Sequence, residues 1–282
     1  MSGLVTTLQA SDTPLLWLDD AAYTERLLAN GHTPWLDSGE YVAYRRKVQG
    51  LLAADVRAVP LTDFLRAWAK SHEALVSSMA AKSRPVFPAR TLLADEALRA
   101  HLVETLAGLR SAFADAPLVL ALPSPYAMVR LAWQLAFGED AEVEVGGDEA
   151  DSCAVYMAEF LRSFESVGLD ALLLEEATGA GPVTAERLDW YQPVLNVARH
   201  YRWDIGIQLP AGVDAEDGLS ALSFVVGAQA REGALHVVRV SERFWETGTL
   251  ENARDGQHRF ATVPPDGVPE TVLERLSALR GN

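Results

Sequence analysis

Cysteine and basic residues are both scarce in this chain of 282 residues. Cys153 is the single cysteine, so no internal disulfide can form, and a zinc site built from several thiolates of one chain is excluded. Lys and Arg total 24 against 39 Asp and Glu, which gives a formal net charge of −15. An acidic surface repels phosphate backbones, and we therefore expect no nucleic-acid partner.

Long apolar runs and targeting segments are also missing. The longest apolar stretches, residues 116–122 and 222–227, fall far short of the roughly 20 residues that a membrane helix needs. The N-terminus carries neither a basic region nor an apolar run, so no secretory signal is predicted. We expect a soluble, cytoplasmic protein with no membrane partner. The sequence permits a homodimer without requiring one.

Short apolar runs alternate along the chain with longer helical patterns, which is typical of an α/β fold with parallel strands. The runs that predict strands are residues 15–18, 56–61, 90–93, 117–122, 169–174, 204–209, 222–226, 235–240 and 260–263. Because helical patterns separate most of them, we predict a (β/α)8 TIM-type barrel, with residues 14–282 as its single domain. Residues 1–13 are polar and are expected to form a flexible N-terminal extension.

The clearest βα unit lies between residues 148 and 177. Asp148 is the predicted helix cap, and apolar residues then recur at three- and four-residue spacing, as on one helix face. A nearly continuous apolar run, residues 169–174, follows and ends at Glu175 and Glu176. Strands buried on both faces have such runs, and α/β folds place their chemistry at the C-terminal strand ends. The chain contains no Gly-rich dinucleotide fingerprint and no phosphate-binding loop.

Four segments resemble the uroporphyrinogen decarboxylase and cobalamin-independent methionine synthase superfamily. They are residues 55–63 (DVRAVPLTD), 117–126 (PLVLALPSPY), 167–179 (VGLDALLLEEATG) and 258–272 (HRFATVPPDGVPETV). The resemblance implies a (β/α)8 barrel with its site at the C-terminal strand ends. It also implies that Asp63 is the acid that contacts the substrate and stabilises developing positive charge.

The chain departs from this family at two sites. The arginine-rich motif of the decarboxylase has no clear equivalent, since the nearest basic cluster, residues 44–47, is predicted to be a solvated helix face. The zinc pattern of the methionine synthases is missing, because Cys153 falls on a predicted apolar helix face instead of a strand end. We therefore expect neither a metal ion nor another cofactor.

Three acids are the main candidates for catalysis or binding. Asp63 fits the charge-stabilising role and equally fits a helix cap. Glu175 and Glu176 are consecutive, so their side chains point to opposite sides of the strand, and only one can face the barrel axis. Both flanking faces are apolar, so periodicity does not choose between them. We assign Glu176 to proton transfer and Glu175 to substrate binding, with a structural ion pair as the alternative for both.

Polar residues near other strand ends complete the candidate set. Tyr126 is a candidate proton donor, and Ser124 and Arg130 are candidate substrate contacts after the strand at 117–122. Gln208 and Arg239 are candidate contacts near the ends of two later strands. Tyr126 also fits packing over the barrel rim, and Arg130 equally fits an ion pair with an acid on the surface.

The sequence supports three functional hypotheses. The first is a metal-free lyase, most simply a decarboxylase of a small or medium organic acid. The second is a methyltransferase of the methionine-synthase type with an altered metal site. The third is a barrel that binds a ligand without catalysis, and a cluster of ionisable groups at the strand ends would count against it.

Overall fold

The computed structural model of the chain describes residues 3–179, 181–210, 212–213, 219–228, 234–250 and 256–280. Eight parallel strands form one sheet in the order β1-β8-β7-β6-β5-β4-β3-β2. The strands are β1 (Leu16–Asp19), β2 (Arg57–Pro60), β3 (Leu118–Pro123), β4 (Ala171–Glu175), β5 (Asp204–Gln208), β6 (Phe224–Gly227), β7 (Leu235–Arg239) and β8 (Arg259–Thr262). The fold is the (β/α)8 barrel that the sequence predicts.

The barrel closes at a seam between β1 and β2. The Asp55 N–H donates to the Leu16 carbonyl at 2.8 Å, and the Asp55 carboxylate accepts the Leu16 N–H at 2.7 Å. Both bonds lie at the N-terminal end of the strands. Within the described residues, no main-chain hydrogen bond joins the two strands nearer their C-terminal ends, and the seam is therefore open at that end.

Helices connect most of the strands and cover the barrel. They are α1 (Leu4–Ala10), α2 (Ala21–Leu28), α3 (Ser38–Leu52), α4 (Leu61–Ser71), α5 (Glu73–Met79), α6 (Phe87–Leu93), α7 (Glu96–Ala112), α8 (Pro125–Phe137), α9 (Gly147–Arg162), α10 (Ala185–Trp190), α11 (Gln192–Tyr201), α12 (Arg243–Thr247) and α13 (Pro269–Arg280). The described parts of the β5–β6 and β6–β7 connections contain no helix.

Two predicted elements differ from the structure. Residues 90–93, predicted as a strand, form the end of α6, because Pro88 near the start of α6 favours a helix and a short apolar run is ambiguous. The sequence pattern of residues 185–201 predicts a single helix, but these residues form two helices that meet at Tyr191. Pro193 lacks an N–H and is tolerated only in a first turn, so it starts a second helix.

The N-terminal segment contains a helix where we expected a flexible extension. Leu4 and Leu8 lie four residues apart on one face of α1 and are buried in the barrel interior beside Val119 and Phe224. The α1 backbone is held by Asp204, whose carboxylate accepts the Val5 N–H at 2.8 Å. This helix therefore packs over the N-terminal end of the barrel.

Inward-facing side chains fill the lower part of the barrel. Trp17 contacts both Phe224 and Phe260, with ring centroids 5.9 and 5.8 Å apart. Gly206 faces the same interior, where a Cβ atom would lie 2.3 Å from the Phe224 ring. A glycine is therefore required opposite this phenylalanine, and the packed aromatic layer leaves space only toward the C-terminal strand ends.

Helix α9 packs as its sequence predicts, except at its start. Cys153, Met157, Phe160 and Leu161 are all buried against the barrel. The cap is Gly146 instead of Asp148, because the Glu149 carboxylate accepts the Gly146 N–H at 2.9 Å and so fixes the start of the helix two residues earlier.

Candidate functional site

Polar side chains converge at the C-terminal end of the barrel, above the aromatic layer. Asp19, Glu175, Gln208 and Arg239 are each the last residue of a strand. Residues two positions earlier, including Trp17, Leu173 and Val237, point into the barrel interior. Because side chains alternate along a strand, the four terminal side chains also face the axis. With Asp63, which follows β2 by three residues, we call these residues the mouth cluster.

Strand register brings parts of the mouth cluster side by side. Glu175 and Gln208 are direct partners in the β4–β5 ladder. Asp19 is the partner of Thr262, whose hydroxyl donates to the Asp19 carboxylate at 3.2 Å. Arg239 is the partner of Phe260, and its guanidinium carbon lies 5.9 Å from the centre of that ring. The acids and the guanidinium therefore surround a single space.

Glu175 is the acid of the pair 175–176 that faces the axis. Its carboxylate accepts a hydrogen bond from the Thr62 hydroxyl at 3.4 Å. Burial, followed by the charges of Asp19 and Asp63, raises the pKa of Glu175 to about 7. A carboxyl with such a pKa exists in both protonation states near neutral pH and can therefore act as a general acid or base.

Asp63 lies in the first turn of α4 and does not cap it. Pro60 occupies the cap position, with no side-chain cap hydrogen bond. Burial, followed by the charges of Asp19 and Glu25, raises the pKa of Asp63 to about 6. The capping alternative for Asp63 is therefore wrong, whereas an electrostatic role at the mouth agrees with its position.

Asp19 is a mouth residue that sequence reasoning missed. Its side chain is exposed toward the open mouth, where partial loss of water and the adjacent Asp20 carboxylate raise its pKa. The available signal was an acid directly after the apolar run 15–18, the same pattern that identified Glu175. That run is short, so its pattern predicts a strand without singling out the acid that follows it.

Arg239 is the cation of the mouth cluster. It is half-buried, and burial lowers its pKa while the charges of Asp19 and Glu175 act in the opposite direction. No described carboxylate lies within 4.0 Å of its guanidinium, and its buried Nε makes no hydrogen bond. Arg239 is therefore positioned near two acids and keeps a donor for a ligand.

Further buried polar atoms at this end lack partners. They are Gln208 Oε1, Trp17 Nε1 and Ser241 Oγ. Trp17 is 1% exposed, yet it is one of the residues that line the cleft. Buried polar groups in proteins normally have a partner, so unpaired atoms beside a cleft indicate a place for a polar ligand or water.

The cleft extends from the mouth cluster into the open end of the β1–β2 seam. It contains about 370 Å³ of empty space, part of it open to solvent, between Asp19, Glu175 and Gln208 on one side and Arg45 on the other. Arg45 and Asp20 form a two-point ion pair with distances of 2.6 and 3.2 Å. Arg45 was predicted to be on a solvated face; its side chain is instead only 12% exposed, because Asp20 neutralises it at the base of the cleft.

Glu176 points away from the axis into a closed hydrogen-bonded network. Its side chain is 0% exposed, and it accepts the Ser124 hydroxyl and the Tyr191 hydroxyl, each at 2.8 Å. The Ala177 N–H donates to it at 3.1 Å, and Arg187 lies 3.9 Å away. We call these residues the rim network. Its geometry ties β4 to the starts of α8 and α11.

Ser124 and Tyr126 belong to this side of the rim. Ser124 caps α8 by accepting the Ala127 N–H at 3.1 Å. Tyr126 is half-buried beneath Arg187, whose guanidinium carbon lies 5.4 Å from the ring centre. Arg130, one turn further along α8, makes no ion pair or hydrogen bond with a described residue. The structure thus separates the predicted site residues into those of the mouth cluster and those of the rim.

Two histidines of the strand region, His236 and His258, lie away from the mouth. His236 and His258 are at or before the N-terminal ends of β7 and β8, opposite the mouth, and His258 Nδ1 accepts the Leu15 N–H at 3.1 Å. Among the described residues, no three His, Cys, Asp or Glu side chains are grouped so that they could hold a metal ion. Cys153 is buried within the α9 face, and burial raises the pKa of its thiol. Neither feature suggests a thiolate site.

No protein-family model matches the chain, and no curated protein matches its sequence. Among solved structures, the chain is similar to the crystal structure of dihydrodipicolinate synthase from Bacillus clausii. The match has 11% sequence identity and a TM-score of 0.34, and it covers 76% of this chain and 68% of that one. None of the described helices has both the length and the apolar character needed to cross a bilayer.

Proposed function

We propose that the mouth cluster is the active site of a lyase that decarboxylates an organic acid without a metal ion. The observation that carries the proposal is the combination of Glu175, whose pKa is about 7, with Arg239, a cation lacking an ion-pair partner in the described chain. A half-protonated acid and an available guanidinium at the same end of the barrel suit proton delivery to a bound carboxylate compound.

Arg239 binds the substrate through one carboxylate or carbonyl group in this mechanism. The bond from the substrate carbon to the departing carboxylate breaks, and carbon dioxide leaves. The electron pair moves into an adjacent carbonyl or imine of the substrate, since the chain supplies no electron sink of its own. Glu175 then donates its proton to the carbon, which balances the reaction and leaves a carboxylate that solvent reprotonates.

Asp63 and Gln208 have supporting roles in the proposed reaction. Asp63 stabilises positive charge that develops on the substrate, as the resemblance to the decarboxylase implies. Gln208 offers an unpaired carbonyl oxygen to a substrate hydroxyl or N–H. Tyr126 and Glu176, our first candidates for proton transfer, act in this proposal through the rim network that fixes the end of β4.

Two observations favour this lyase over the other hypotheses. Ionisable groups with raised pKa values are expected at a catalytic site more than at a passive binding site, which counts against a non-catalytic barrel. The buried position of Cys153 gives no support to a thiol methyltransferase.

The sequence holds three lysines, Lys47, Lys70 and Lys82, all exposed on the outside, so the mouth offers no amine for a Schiff base.

A carbon dioxide release assay tests the proposed function. The purified protein would be incubated with 3-oxo acids and with pyrrole or aromatic carboxylic acids, and carbon dioxide would be measured over time. We expect at least one of these acids to be decarboxylated in the presence of a chelator. If none reacts, or if release disappears with chelation and returns with added metal, the proposal is wrong.

Replacing Arg239 with Gln is expected to weaken substrate binding. A hydrogen-bonded charged contact contributes about 1.5–3 kcal/mol, so kcat/KM should fall by roughly 10- to 150-fold, mostly through KM. The measurement is steady-state kinetics on the acid found in the release assay. Arg46→Gln is the matched control, because Arg46 is exposed on α3 and its loss should leave kcat/KM unchanged. Equal effects of both substitutions would remove Arg239 from the site.

A further inference from the structure

We propose that the mouth takes up an organic carboxylate together with one proton on Glu175, and that Asp19 sets the pH at which this uptake occurs. The inference deepens the proposed function and rests on it for the later use of the proton. The binding itself, however, requires no chemistry and can be measured alone.

One cation, Arg239, shares the mouth with several acids. Arg239 ends β7, Glu175 ends β4 and Asp19 ends β1, so three strands deliver their charges to the same space. Arg239 interacts electrostatically with both acids but forms no ion pair within 4.0 Å to a described carboxylate. The guanidinium is thus shared at a distance and can receive a ligand carboxylate without breaking a direct contact.

Two unpaired donors point to an anionic ligand at this position. Arg239 Nε is buried without a hydrogen-bond partner. Trp17 Nε1 is also unpaired, and Trp17 is 1% exposed and is one of the residues that line the cleft. N–H groups from two different strands, each without an acceptor, are suited to the oxygen atoms of a carboxylate.

The surrounding charges make such an anion costly unless a proton comes with it. The acids that face Asp19, Glu175 or Arg239 come from α2, α4 and the start of α12: Asp20, Asp63 and Glu242. Asp20 is neutralised by Arg45, which leaves Asp19, Asp63, Glu175 and Glu242 as the acids of this site. A ligand carboxylate adds a further negative charge, and repulsion then favours the protonated form of the most easily protonated neighbour, Glu175.

Asp19 controls this uptake because its charge is one of the causes of the raised pKa of Glu175. With Asp19 ionised, Glu175 gains a proton near neutral pH when the anion binds. With Asp19 neutral, Glu175 ionises more readily, and the same uptake occurs at lower pH. Asp19 is therefore a positioning residue that acts on the protonation state of Glu175.

The proton balance links this binding step to the proposed reaction. Decarboxylation turns a carboxylate and a proton into carbon dioxide and a C–H bond, so each turnover consumes one proton. Uptake with the anion places that proton on Glu175 before the carbon–carbon bond breaks. Substrate binding and proton loading then form one step.

Calorimetric titration with propionate, a carboxylate that cannot lose carbon dioxide by this route, tests the inference. Titrations at pH 7.5 in phosphate and in Tris differ in buffer ionisation heat, and the difference gives the number of protons taken up. We expect about half a proton per propionate, and an affinity that falls roughly three- to tenfold between pH 7 and pH 8.5.

Variants assign the proton to its residue. Glu175→Gln should bind propionate with no proton uptake, and Arg239→Gln should not bind it measurably. Asp19→Asn should bind propionate about three- to tenfold more tightly at pH 8 and shift the uptake to lower pH. Glu139→Gln is the control for loss of one negative charge, since Glu139 is 91% exposed after α8, and it should behave as wild type.

Several results would overturn the inference. They are propionate binding without proton uptake, proton release on binding, uptake that persists in Glu175→Gln, and no binding that depends on Arg239. Failure of the proposed function is a separate result: propionate would bind with proton uptake, but no organic acid would release carbon dioxide.

Discussion

Glu175→Gln is expected to lower kcat by about one hundred- to ten-thousandfold on the acid that the protein decarboxylates, with a smaller change in KM. Glutamine keeps the volume of the side chain and its hydrogen bond to Thr62, but it has no proton to give to the carbon. Glu175 faces the axis beside Gln208, so its loss is expected to affect the reaction directly.

The free energy of unfolding of Glu175→Gln is the control for its effect on kcat. The folded-state pKa of Glu175 is about 7, above the ordinary glutamate value, so the folded protein holds more protons than the unfolded chain between those two values. Wild-type stability therefore falls as the pH rises through this window, and the full loss is present above pH 7. Glu175→Gln should remove that loss and raise the free energy of unfolding at pH 8 by up to about 3 kcal/mol. Unchanged kcat with this gain would make Glu175 a strained structural acid.

Glu176→Gln should have the opposite effect, lowering stability while sparing turnover. The amide cannot accept all the donors of Ser124, Tyr191 and Ala177, and it removes the negative charge that lies 3.9 Å from Arg187. Disturbing a fully buried charge network of this kind costs about 2–4 kcal/mol, or roughly 5–10 °C in Tm for a chain of this length. Thermal unfolding and kcat measured on the same preparation test the expectation.

The matched control for Glu176 is Glu159→Gln. Glu159 is a half-exposed residue of α9 that pairs with Arg162 on the surface, so its substitution should change Tm by less than about 2 °C. If Glu176→Gln keeps its Tm but loses kcat by a hundredfold or more, Glu176 takes part in proton transfer, as the sequence first suggested. The rim network would then belong to the reaction.

The sequence predicts the barrel well because its strands carry strong patterns. The run that becomes β4 is apolar on both faces and ends in acids, and β3 and β5 carry similar signals. In a parallel sheet all strands run in the same direction, so their C-terminal ends lie at the same end of the barrel. Asp63, Tyr126, Glu176 and Gln208 consequently lie at one end of the structure.

Local patterns fail where packing decides the outcome. Helix α1 forms because Leu4 and Leu8 are buried at the base of the barrel. No pattern in this polar segment predicts that the two leucines are buried there. The end of α6 forms a helix because its apolar residues pack outside the sheet. The same residues could form a helix or a different local structure in both segments, so only their tertiary contacts decide which one forms.

At the candidate site, the sequence alone does not decide whether Glu175 or Glu176 faces the barrel axis. Consecutive residues point to opposite faces, and both faces of β4 are equally apolar. The difference arises from distant residues, since Ser124 and Tyr191 satisfy Glu176 outside the barrel while Asp19 and Arg239 surround Glu175 inside it. These partners lie far apart in sequence, and no single-strand pattern contains them.

A pH titration of the Glu175 carboxyl by carbon-13 NMR, assigned by its absence in Glu175→Gln, tests the central claim most directly. The claim is that the acid facing the barrel axis carries an available proton at neutral pH. We predict a titration midpoint near pH 7. A midpoint at or below the ordinary glutamate value of about 4.3 would show a permanently ionised carboxylate and would contradict the assignment of Glu175 as the proton donor.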